Sequence, residues 1–311
     1  MKLKKQYYEE IRQWIYRNGR QIELSLWEFH FENGSSDCVL TALEFYQNID
    51  GGFGHALEAD NWNPDSSPYT TLYAVNILKS IGFIDKNHKI YKGIMKYLES
   101  GRHFENNQWL FSIPSNDRYP HAPWWAYSQD ANMIESTGLT AELIAFILEY
   151  FDKESEIYKK SLNLVKNILD NLMNADEHGE MGIGGYLVLI DKLKALDIPV
   201  GDLEMLQDKL RKQLQDSIEH DSSKWKLYGV RPSNYIISPD SPYYEQNKDI
   251  VEKELDYIIQ TKPENDVWGI TWTWFDNNEK YAKEFAISEN WWKSCKAIEK
   301  LIFLRNFDRL I

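Results

Sequence analysis

Segments with helical apolar spacing recur along almost the whole chain, and they are of two kinds. Some are apolar on nearly all sides, as expected of helices that neighbours cover all round. These are Thr70 to Phe83, Thr137 to Phe151, Gly184 to Leu196 and Ser288 to Leu304. The others are amphipathic: Lys89 to Ser100, Ile157 to Met173, Leu203 to Ile218 and Asn247 to Gln260. Because the two kinds alternate, we expect an all-α fold with an inner and an outer helical layer.

The length of 311 residues permits one large domain or two ordinary ones. No change of composition marks a seam between halves, so we expect a single domain over residues 1–311. Residues 1–34 are expected to form an N-terminal helical segment packed on it. Its amphipathic part is Lys4 to Arg17, and a further amphipathic helix is expected over Asp37 to Tyr46.

Charge and cysteine content restrict the partners and the compartment. With 48 acidic against 35 basic residues the net charge is −13, which disfavours a nucleic-acid partner. The only cysteines, Cys38 and Cys295, lie far apart, so we expect neither a disulfide framework nor a paired-cysteine zinc site, and we expect no cofactor. We identified no signal peptide and no apolar stretch of the roughly 18 residues that a membrane span needs. The expected location is therefore cytoplasmic.

One loop carries an unusual run between Asp37 to Tyr46 and the apolar segment at Thr70. Its residues are Gln47, Asn48, Ile49, Asp50, Gly51, Gly52, Phe53 and Gly54. A glutamine near a helix end can cap backbone groups, and glycines permit backbone routes that are closed to other residues. The aromatic ring is expected to pack against the next helix. Weaker copies of the run are Gln260 with Asp266 to Gly269, and Gly182 to Tyr186.

This run resembles the repeat of the squalene cyclase and protein prenyltransferase superfamily. The resemblance implies an α/α toroid, a ring of paired helices around a central cavity that takes a small molecule. It does not extend to that superfamily's catalytic motifs, because neither Asp-x-Asp-Asp nor Asp-Asp-x-x-Asp occurs in this chain. Asp37 directly adjoins Cys38 without an evident partner histidine, so the prenyltransferase zinc site is not expected and we predict no metal.

A first candidate site follows the glycine run and contains His55, Glu58, Asp60 and Trp62. Carboxyl groups beside one another and beside apolar rings can have pKa values raised enough to donate a proton. The cluster is therefore a candidate for acid and base chemistry. The alternative is a solvated loop in which an acidic or hydroxyl side chain caps the next helix.

A second candidate site combines His121, Trp124 and Trp125 with Asp130 and Glu135, which we place just ahead of the helix that starts near Thr137. Adjacent tryptophans present flat faces that can hold a cation, an isoprenoid chain or a sugar ring. The alternative is a long loop that aromatic burial anchors.

The remaining candidates lie towards the carboxyl end. Arg231 is a candidate for binding an anionic group, and Trp268 and Trp272 add aromatic surface. In a toroid these clusters, although they come from different loops, are expected to converge on one end.

Three functions stay open from the sequence. The first is an enzyme acting on an apolar or isoprenoid substrate by acid catalysis, with Asp60, Glu58 or Asp130 as proton donor and tryptophans stabilising positive charge. The second is a carbohydrate-active toroid, a hydrolase or lyase. A pair of carboxylates would then carry out the acid and base chemistry, drawn from Glu58, Asp60, Asp130 and Glu135. The third is a non-catalytic module that presents the same rim to a peptide or a small ligand.

Overall fold

The computed structural model describes residues 1–175 and 178–311. The chain is 62% helix and 3% strand, which confirms the all-α class. In the described residues the helices are α1 (Lys5–Asn18), α2 (Gln21–Phe31), α3 (Ser36–Glu44), α4 (Pro68–Ser80), α5 (Lys89–Glu99), α6 (Gln129–Tyr150), α7 (Glu156–Asn174), α8 (Gly179–Ala195), α9 (Leu203–Ser217), α10 (Tyr244–Gln260), α11 (Asn277–Lys280) and α12 (Ala282–Asn306). The strands β1 (Phe104–Glu105) and β2 (Gln108–Trp109) pair antiparallel.

The helices form two compact units. The terminal unit consists of Met1–Leu43 and Leu214–Ile311, and the central unit consists of Glu44–Gln213. In the terminal unit, α1 and α2 pack against each other and against α12, which also contacts α10. In the central unit, α6 packs against α4, α7 and α8. The boundaries fall within α3 and α9, so no linker marks them in the sequence, and a single domain over the whole chain stays a prediction.

Helix α6 is the core of the central unit. Almost every residue from Ser136 to Leu148 is buried. It is the one helix of the described residues that is long and apolar enough to cross a membrane, but 78% of the relevant window is buried inside the protein. The core helix of a soluble protein passes the same test, so the helix is weak evidence for a membrane span.

Helix α6 starts earlier than the sequence pattern predicts. Its first residue is Gln129, and Ser128 caps it by accepting a hydrogen bond from the backbone N–H of Ala131. The placement of Asp130 and Glu135 ahead of this helix was therefore wrong, since both lie in its first two turns. The first turns carry polar residues, which hide the start from an analysis based on apolar spacing.

Two helices of the central unit approach each other closely through glycine. A Cβ atom built on Gly138 of α6 would lie 2.3 Å from the carbonyl oxygen of Met181, and one on Gly185 of α8 would lie 2.2 Å from that of Gly138. Only glycine permits this backbone contact. The run Gly182 to Tyr186 is thus part of a helix and not a loop that repeats Gln47 to Gly54.

A polar stripe on α6 also holds the segment that contains β2. Three side chains at four-residue intervals lie on one helix face and accept hydrogen bonds from the backbone of that segment. The N–H groups of Trp109, Phe111 and Ser112 donate to Thr140 Oγ1 (2.9 Å), Ser136 Oγ (3.0 Å) and Asn132 Oδ1 (3.0 Å). The stripe therefore satisfies backbone donors that would otherwise be buried without partners.

Candidate functional site

The run from Gln47 to Gly54 forms a tight turn against α5. Gln47 Nε2 donates to the carbonyl oxygens of Gly51 (2.9 Å) and Ile90 (3.1 Å), so the side chain joins the turn to the start of that helix. Gly51 has φ +94°, and a Cβ there would lie 2.0 Å from the carbonyl oxygen of Gly93. The turn therefore requires glycine for both its backbone conformation and its close approach.

The carboxylate of Asp50 stabilises the same turn through hydrogen bonds and an ion pair. Its Oδ1 accepts from the N–H of Gly52 (3.1 Å) and from the hydroxyl of Ser66 (2.6 Å), and its Oδ2 pairs with Arg102 at 2.8 Å. The N–H of Phe53 donates to Thr71 Oγ1 at 3.1 Å, and the ring of Phe53 is fully buried. Asp50 and Phe53 are thus engaged within the fold.

The acidic loop lies inside the central unit. Glu58 is 3% exposed and Asp60 is 1% exposed, which leaves almost no surface that a ligand could touch. Glu58 Oε2 accepts from the backbone N–H of Asp60 at 3.0 Å. His55 is exposed instead, and its Nε2 lies 2.9 Å from Asn48 Oδ1. The structure therefore separates the imidazole of His55, on the surface, from the two buried carboxyl groups.

Buried amides hold the acidic loop in place. Asn116 Oδ1 accepts from Asn63 Nδ2 at 2.8 Å and from Asn61 Nδ2 at 3.3 Å, while Asn116 Nδ2 donates to the carbonyl oxygen of Trp125 at 2.8 Å. All three asparagines are at most 5% exposed. Sequence reasoning missed them, because asparagine between apolar segments is also the usual residue of a solvated turn.

The second predicted cluster pairs with the acidic loop along the backbone. Asn61 and His121 form an antiparallel bridge, the N–H of Trp62 donates to the Pro120 carbonyl at 3.0 Å, and that of Ala122 donates to the Asp60 carbonyl at 2.9 Å. His121 is buried, and its Nδ1 lies 2.7 Å from the Tyr119 carbonyl oxygen. Because a carbonyl only accepts, Nδ1 carries the proton. The structure thus brings His121, Trp62 and Asp60 together.

The two adjacent tryptophans have different surroundings. Trp125 is 3% exposed and packs against Phe111 (ring centroids 4.8 Å apart) and Tyr69 (4.4 Å). Trp124 is half-buried, as is Trp62. Trp125 therefore belongs to the aromatic core, which is the second of the two interpretations that the sequence left open.

The carboxyl groups of Asp130 and Glu135 have different surroundings. Asp130 is exposed in the first turn of α6, where a carboxylate interacts favourably with the helix dipole. Glu135 is half-buried and Oε2 accepts from the N–H of Met181 at 3.1 Å, in the first turn of α8. Neither position resembles the paired carboxylates of a glycosidase.

A second region, in the terminal unit, combines Arg231 with lysines of α12. The backbone after Arg231 is fixed by Glu254, a carboxyl 1% exposed that accepts from the N–H (2.8 Å) and the hydroxyl (2.7 Å) of Ser233. Burial raises the pKa of Glu254, and these two hydrogen bonds oppose the rise. The guanidinium of Arg231 donates to the Trp225 carbonyl and lies 5.9 Å from the ring centre of Tyr257.

Helix α12 supplies two lysines one turn apart. Lys296 Nζ lies 2.8 Å from Glu299 Oε2, and 32% of the Lys296 side chain remains exposed. Although burial alone would lower the pKa of Lys296, the Glu299 carboxylate raises it. Burial and the nearby charges of Lys296 and Arg231 lower the pKa of Lys300 to about 8, while the carboxylates of Glu299 and Glu254 oppose the change. Lys296 and Lys300 are therefore two neighbouring, half-buried cations on one face of α12.

Tryptophan rings lie beside both lysines. Lys300 Nζ is 5.5 Å from the ring centre of Trp268, and Lys296 Nζ is 5.3 Å from that of Trp292. Trp272 meets Trp292 edge to face at 5.4 Å. These distances suit cation–π and aromatic contacts. We call the group formed by Arg231, Lys296, Lys300, Trp268, Trp272 and Trp292 the cationic recess.

The cationic recess is chemically suited to an anion. The charges of Arg231, Lys296 and Lys300 lie within electrostatic range of one another. A pocket of about 100 Å³ is lined by Arg231 together with Trp225, Tyr228 and the pair formed by Lys224 and Glu219. That volume is too small for a whole drug-sized ligand, so the pocket would take only part of one.

Sequence reasoning had found half of the recess. Arg231, Trp268 and Trp272 were candidates, whereas Lys296, Lys300 and Trp292 were not. The missing signal was a spacing of four residues, from Trp292 to Lys296 to Lys300, which places all three on one face of α12.

The described residues contain no group of three histidine, cysteine or acidic side chains that could hold a metal ion. Comparisons of the chain with protein-family models, with curated proteins and with solved structures found no match. The likeness of Gln47 to Gly54 to the cyclase repeat stays a prediction from the sequence.

Proposed function

We propose that this protein is an α/α toroid of the terpenoid cyclase and prenyltransferase type that binds a small organic anion in the cationic recess. The toroid is supported by the order of contacts in the central unit, where the predicted inner helices α4, α6 and α8 pack one after another. It is also supported by the engagement of Gln47 with the start of the next outer helix, which suits a repeat that staples helix pairs.

The observation that carries the proposal is the gathering of three cations in a chain of net charge −13. Among the described residues no carboxylate lies within ion-pair distance of Arg231 or Lys300, although those of Glu254 and Glu299 are near enough to offset part of the repulsion, and Lys296 pairs with Glu299. Neighbouring like charges in a desolvated place destabilise one another. A bound anion would relieve that repulsion, so the recess favours a ligand of negative charge.

The tryptophans define the rest of the ligand. The rings beside the lysines favour an apolar chain or a ring-shaped body attached to the anionic group. A phosphorylated isoprenoid and an acidic sugar share this chemistry, and they represent the two substrate classes that the sequence left open. Neutral terpenes and neutral sugars lack it.

Acid catalysis from the central unit is not part of the proposal. Glu58 and Asp60 have almost no accessible surface, and Asp130 lies at a helix end on the outside of the unit. Proton donation to a ligand requires contact within hydrogen-bond distance. The function that the geometry supports best is therefore binding of the anion, with the recess as the place where any reaction would occur.

Isothermal titration calorimetry tests this proposal with farnesyl diphosphate and with an oligogalacturonate, each against its neutral counterpart, farnesol or an oligogalactose. We expect one anionic ligand to bind at least about tenfold more tightly than its neutral counterpart, since a charged hydrogen bond contributes about 1.5–3 kcal/mol. Arg231→Met should weaken that binding by a similar factor. Lys166→Met, at an exposed lysine of the central unit, is the matched control.

Equal affinity for the charged and neutral ligands would contradict the proposal. So would unchanged binding of the anion by the Arg231→Met variant. The choice between the isoprenoid and the sugar follows from which anionic ligand binds.

A further inference from the structure

Residues 219–231 form a loop in the terminal unit whose two ends are joined. The backbone N–H of Glu219 donates to the carbonyl oxygen of Val230 at 3.0 Å. Inside the loop, Trp225 is 1% exposed, and its Nε1 donates to the carbonyl oxygen of Glu219 at 2.7 Å. The guanidinium of Arg231 in turn donates to the carbonyl oxygen of Trp225. Because these contacts fix the backbone, the space between the side chains of the loop is formed before any ligand arrives.

The pocket of about 100 Å³ belongs to this loop, since all the residues that line it lie within 219–231. We call it the loop pocket. Two of its lining side chains, Leu227 and Tyr228, are large and yet 59% and 60% exposed. A Cβ atom built on Gly229 would meet no atom within 4 Å. Compact loops that pack on their own side chains are frequently functional. The loop pocket is therefore anchored by Trp225 and has an open mouth with apolar surface.

Both signs of charge line the loop pocket. Lys224 and Arg231 are positive, and Glu219 is negative. Glu219 Oε2 lies 3.5 Å from Lys224 Nζ, farther than the roughly 2.7–2.9 Å of a charged hydrogen bond. Both side chains remain partly exposed, and an exposed pair of this kind contributes little to stability. The two groups can therefore turn towards a ligand at small cost.

We propose that the loop pocket binds the head group of a free α-amino acid with an apolar side chain. The carboxylate of the ligand pairs with Arg231 and Lys224, and its ammonium pairs with Glu219. A water molecule occupies about 30 Å³, so the pocket has room for a carboxylate, an ammonium and the carbon between them. The side chain of the ligand then lies at the mouth against Leu227 and Tyr228, which favours leucine or phenylalanine over glycine.

The mixture of charges is the reason for preferring an amino acid. A simple anion would pair with the two cations but be repelled by Glu219, whereas a simple cation would be repelled by Lys224 and Arg231. A zwitterion satisfies all three groups. This inference goes beyond the proposed anion binding, with which it shares only Arg231. Variants at Glu219 and Gly229 therefore test the loop pocket without removing a cation of the recess.

Isothermal titration calorimetry at pH 7 tests the ligand class with L-leucine and L-phenylalanine. Each is compared with its N-acetyl derivative, which has no ammonium, with its amide, which has no carboxylate, and with glycine. We expect leucine or phenylalanine to bind at least about tenfold more tightly than each of these, because each comparison removes a charged contact or the apolar contact. Equal affinity for an amino acid and its two derivatives would contradict the zwitterion site. Binding of neither amino acid would overturn the inference as a whole.

Glu219→Gln tests the ammonium contact. The glutamine keeps an oxygen that can accept from the N–H of Asp221, and the backbone groups of residue 219 that close the loop are unchanged. The variant should bind the amino acid at least about tenfold more weakly, and the N-acetyl derivative equally or more tightly. Glu204→Gln, at an exposed position in the first turn of α9, is the matched control. Equal effects of the two substitutions would contradict the role of Glu219.

Gly229→Leu tests the place of binding, since it puts a side chain into the open space at the mouth. We expect at least about tenfold weaker binding of the amino acid, with cooperative unfolding in urea retained. An added Cβ on Gly184 of α8 also meets no atom within 4 Å, so Gly184→Leu is the control and should stay within about twofold of the parent. Unchanged binding by a folded Gly229→Leu variant would overturn the placement in the loop pocket.

The anionic ligands of the proposed function separate the two sites. Farnesyl diphosphate or the oligogalacturonate should bind to Glu219→Gln at least as tightly as to the parent. If an anion binds in a manner that depends on Arg231 while neither amino acid binds, the recess stands and the amino-acid site fails. If an amino acid binds in a manner that depends on Glu219 and Gly229 while neither anion binds, the loop pocket stands and the proposed function fails.

Discussion

The acidic loop of the central unit and the cationic recess of the terminal unit both gather polar groups away from bulk water, but they use them differently. Around the acidic loop, Asn61, Asn63 and Asn116 bond to one another and to the backbone. In the recess, Lys300 lies over the ring of Trp268, and among the described residues it makes no hydrogen bond or ion pair, although the carboxylates of Glu254 and Glu299 are near. Polar groups that bond internally maintain a fold, whereas those with unused bonding capacity remain available to a ligand. The cations of the recess are therefore better candidates for a ligand site than the carboxylates of the acidic loop.

The largest effect on stability is expected at the asparagine cluster. Asn116→Ala removes the acceptor of two buried amides and the donor to the Trp125 carbonyl, and each lost bond in the interior costs about 1–3 kcal/mol. We expect urea unfolding to show a loss of about 3–4 kcal/mol. Asn163→Ala, at an exposed position of α7, should change the free energy of unfolding by less than about 1 kcal/mol. Similar values for both variants would show that the cluster is not structural.

Two glycines in helices of the central unit provide a matched pair. Gly138→Ala places a methyl group against the backbone of α8 and should destabilise the protein by about 2–3 kcal/mol. Gly184→Ala faces open space on α8, so it should stabilise the protein by about 0.5–1 kcal/mol through helix propensity. Chemical denaturation of both variants measures the difference. A stabilising Gly138→Ala would mean that α6 and α8 do not approach at this position.

In the recess, removing a charge should increase stability and reduce binding together. Lys300 has a folded-state pKa of about 8, below the ordinary value of about 10.4, so the unfolded chain binds the proton more tightly. The resulting penalty is fully present below pH 8 and disappears as the pH rises from about 8 to about 10.4. Lys300→Met should therefore be more stable than the parent by about 3 kcal/mol at pH 7, and the gain should shrink towards pH 10.

Denaturation of both proteins at the two pH values checks this prediction, with Lys166→Met as the control that should show no such pH dependence. A Lys300→Met variant that is less stable at pH 7 would indicate that the lysine supports the fold. The recess would then resemble the acidic loop, and the contrast between the two regions would be lost.

The smallest effect is expected at Glu254, which positions the backbone beside Arg231. Glu254→Gln keeps an acceptor for the N–H of Ser233 and can donate to its hydroxyl, so stability should change by less than about 1 kcal/mol. Because the variant removes a carboxylate near Arg231 and Lys300, anion binding should stay equal or become tighter. Calorimetry measures the change, with whichever of farnesyl diphosphate and the oligogalacturonate binds to the parent chain. Weaker anion binding by a stable Glu254→Gln variant would show that the carboxylate itself contributes to the site.

Local pattern predicted the helices well and the sites only in part. Apolar spacing placed most helices within a few residues, but it missed the start of α6, where Gln129 to Glu135 is polar and Ser128 sets the boundary. The run at Gln47 was recognised as unusual from its composition. Its contact with Ile90, 43 residues away, is a tertiary feature that no local pattern contains.

The recess shows the same limit. Arg231 and the tryptophans of residues 268 and 272 stood out in loops, where large or charged side chains are noticed. Lys296 and Lys300 lie on a helix, where charges at a spacing of four residues are also typical of a solvated face. Trp268 and Lys300 are 32 positions apart in the sequence, and only their contact in the fold distinguishes this face of α12 from a solvated one.

The most direct test of the central claim is a fluorescence titration with anilinonaphthalene sulfonate, an aromatic anion, at pH 7. It compares the parent chain with Arg231→Met and with Asp60→Asn, each first shown to unfold cooperatively in urea. We predict that Arg231→Met raises the dissociation constant at least about tenfold and that Asp60→Asn leaves it within about twofold. Weaker binding by a folded Asp60→Asn variant, with Arg231→Met unchanged, would contradict the account and return the ligand site to the acidic loop.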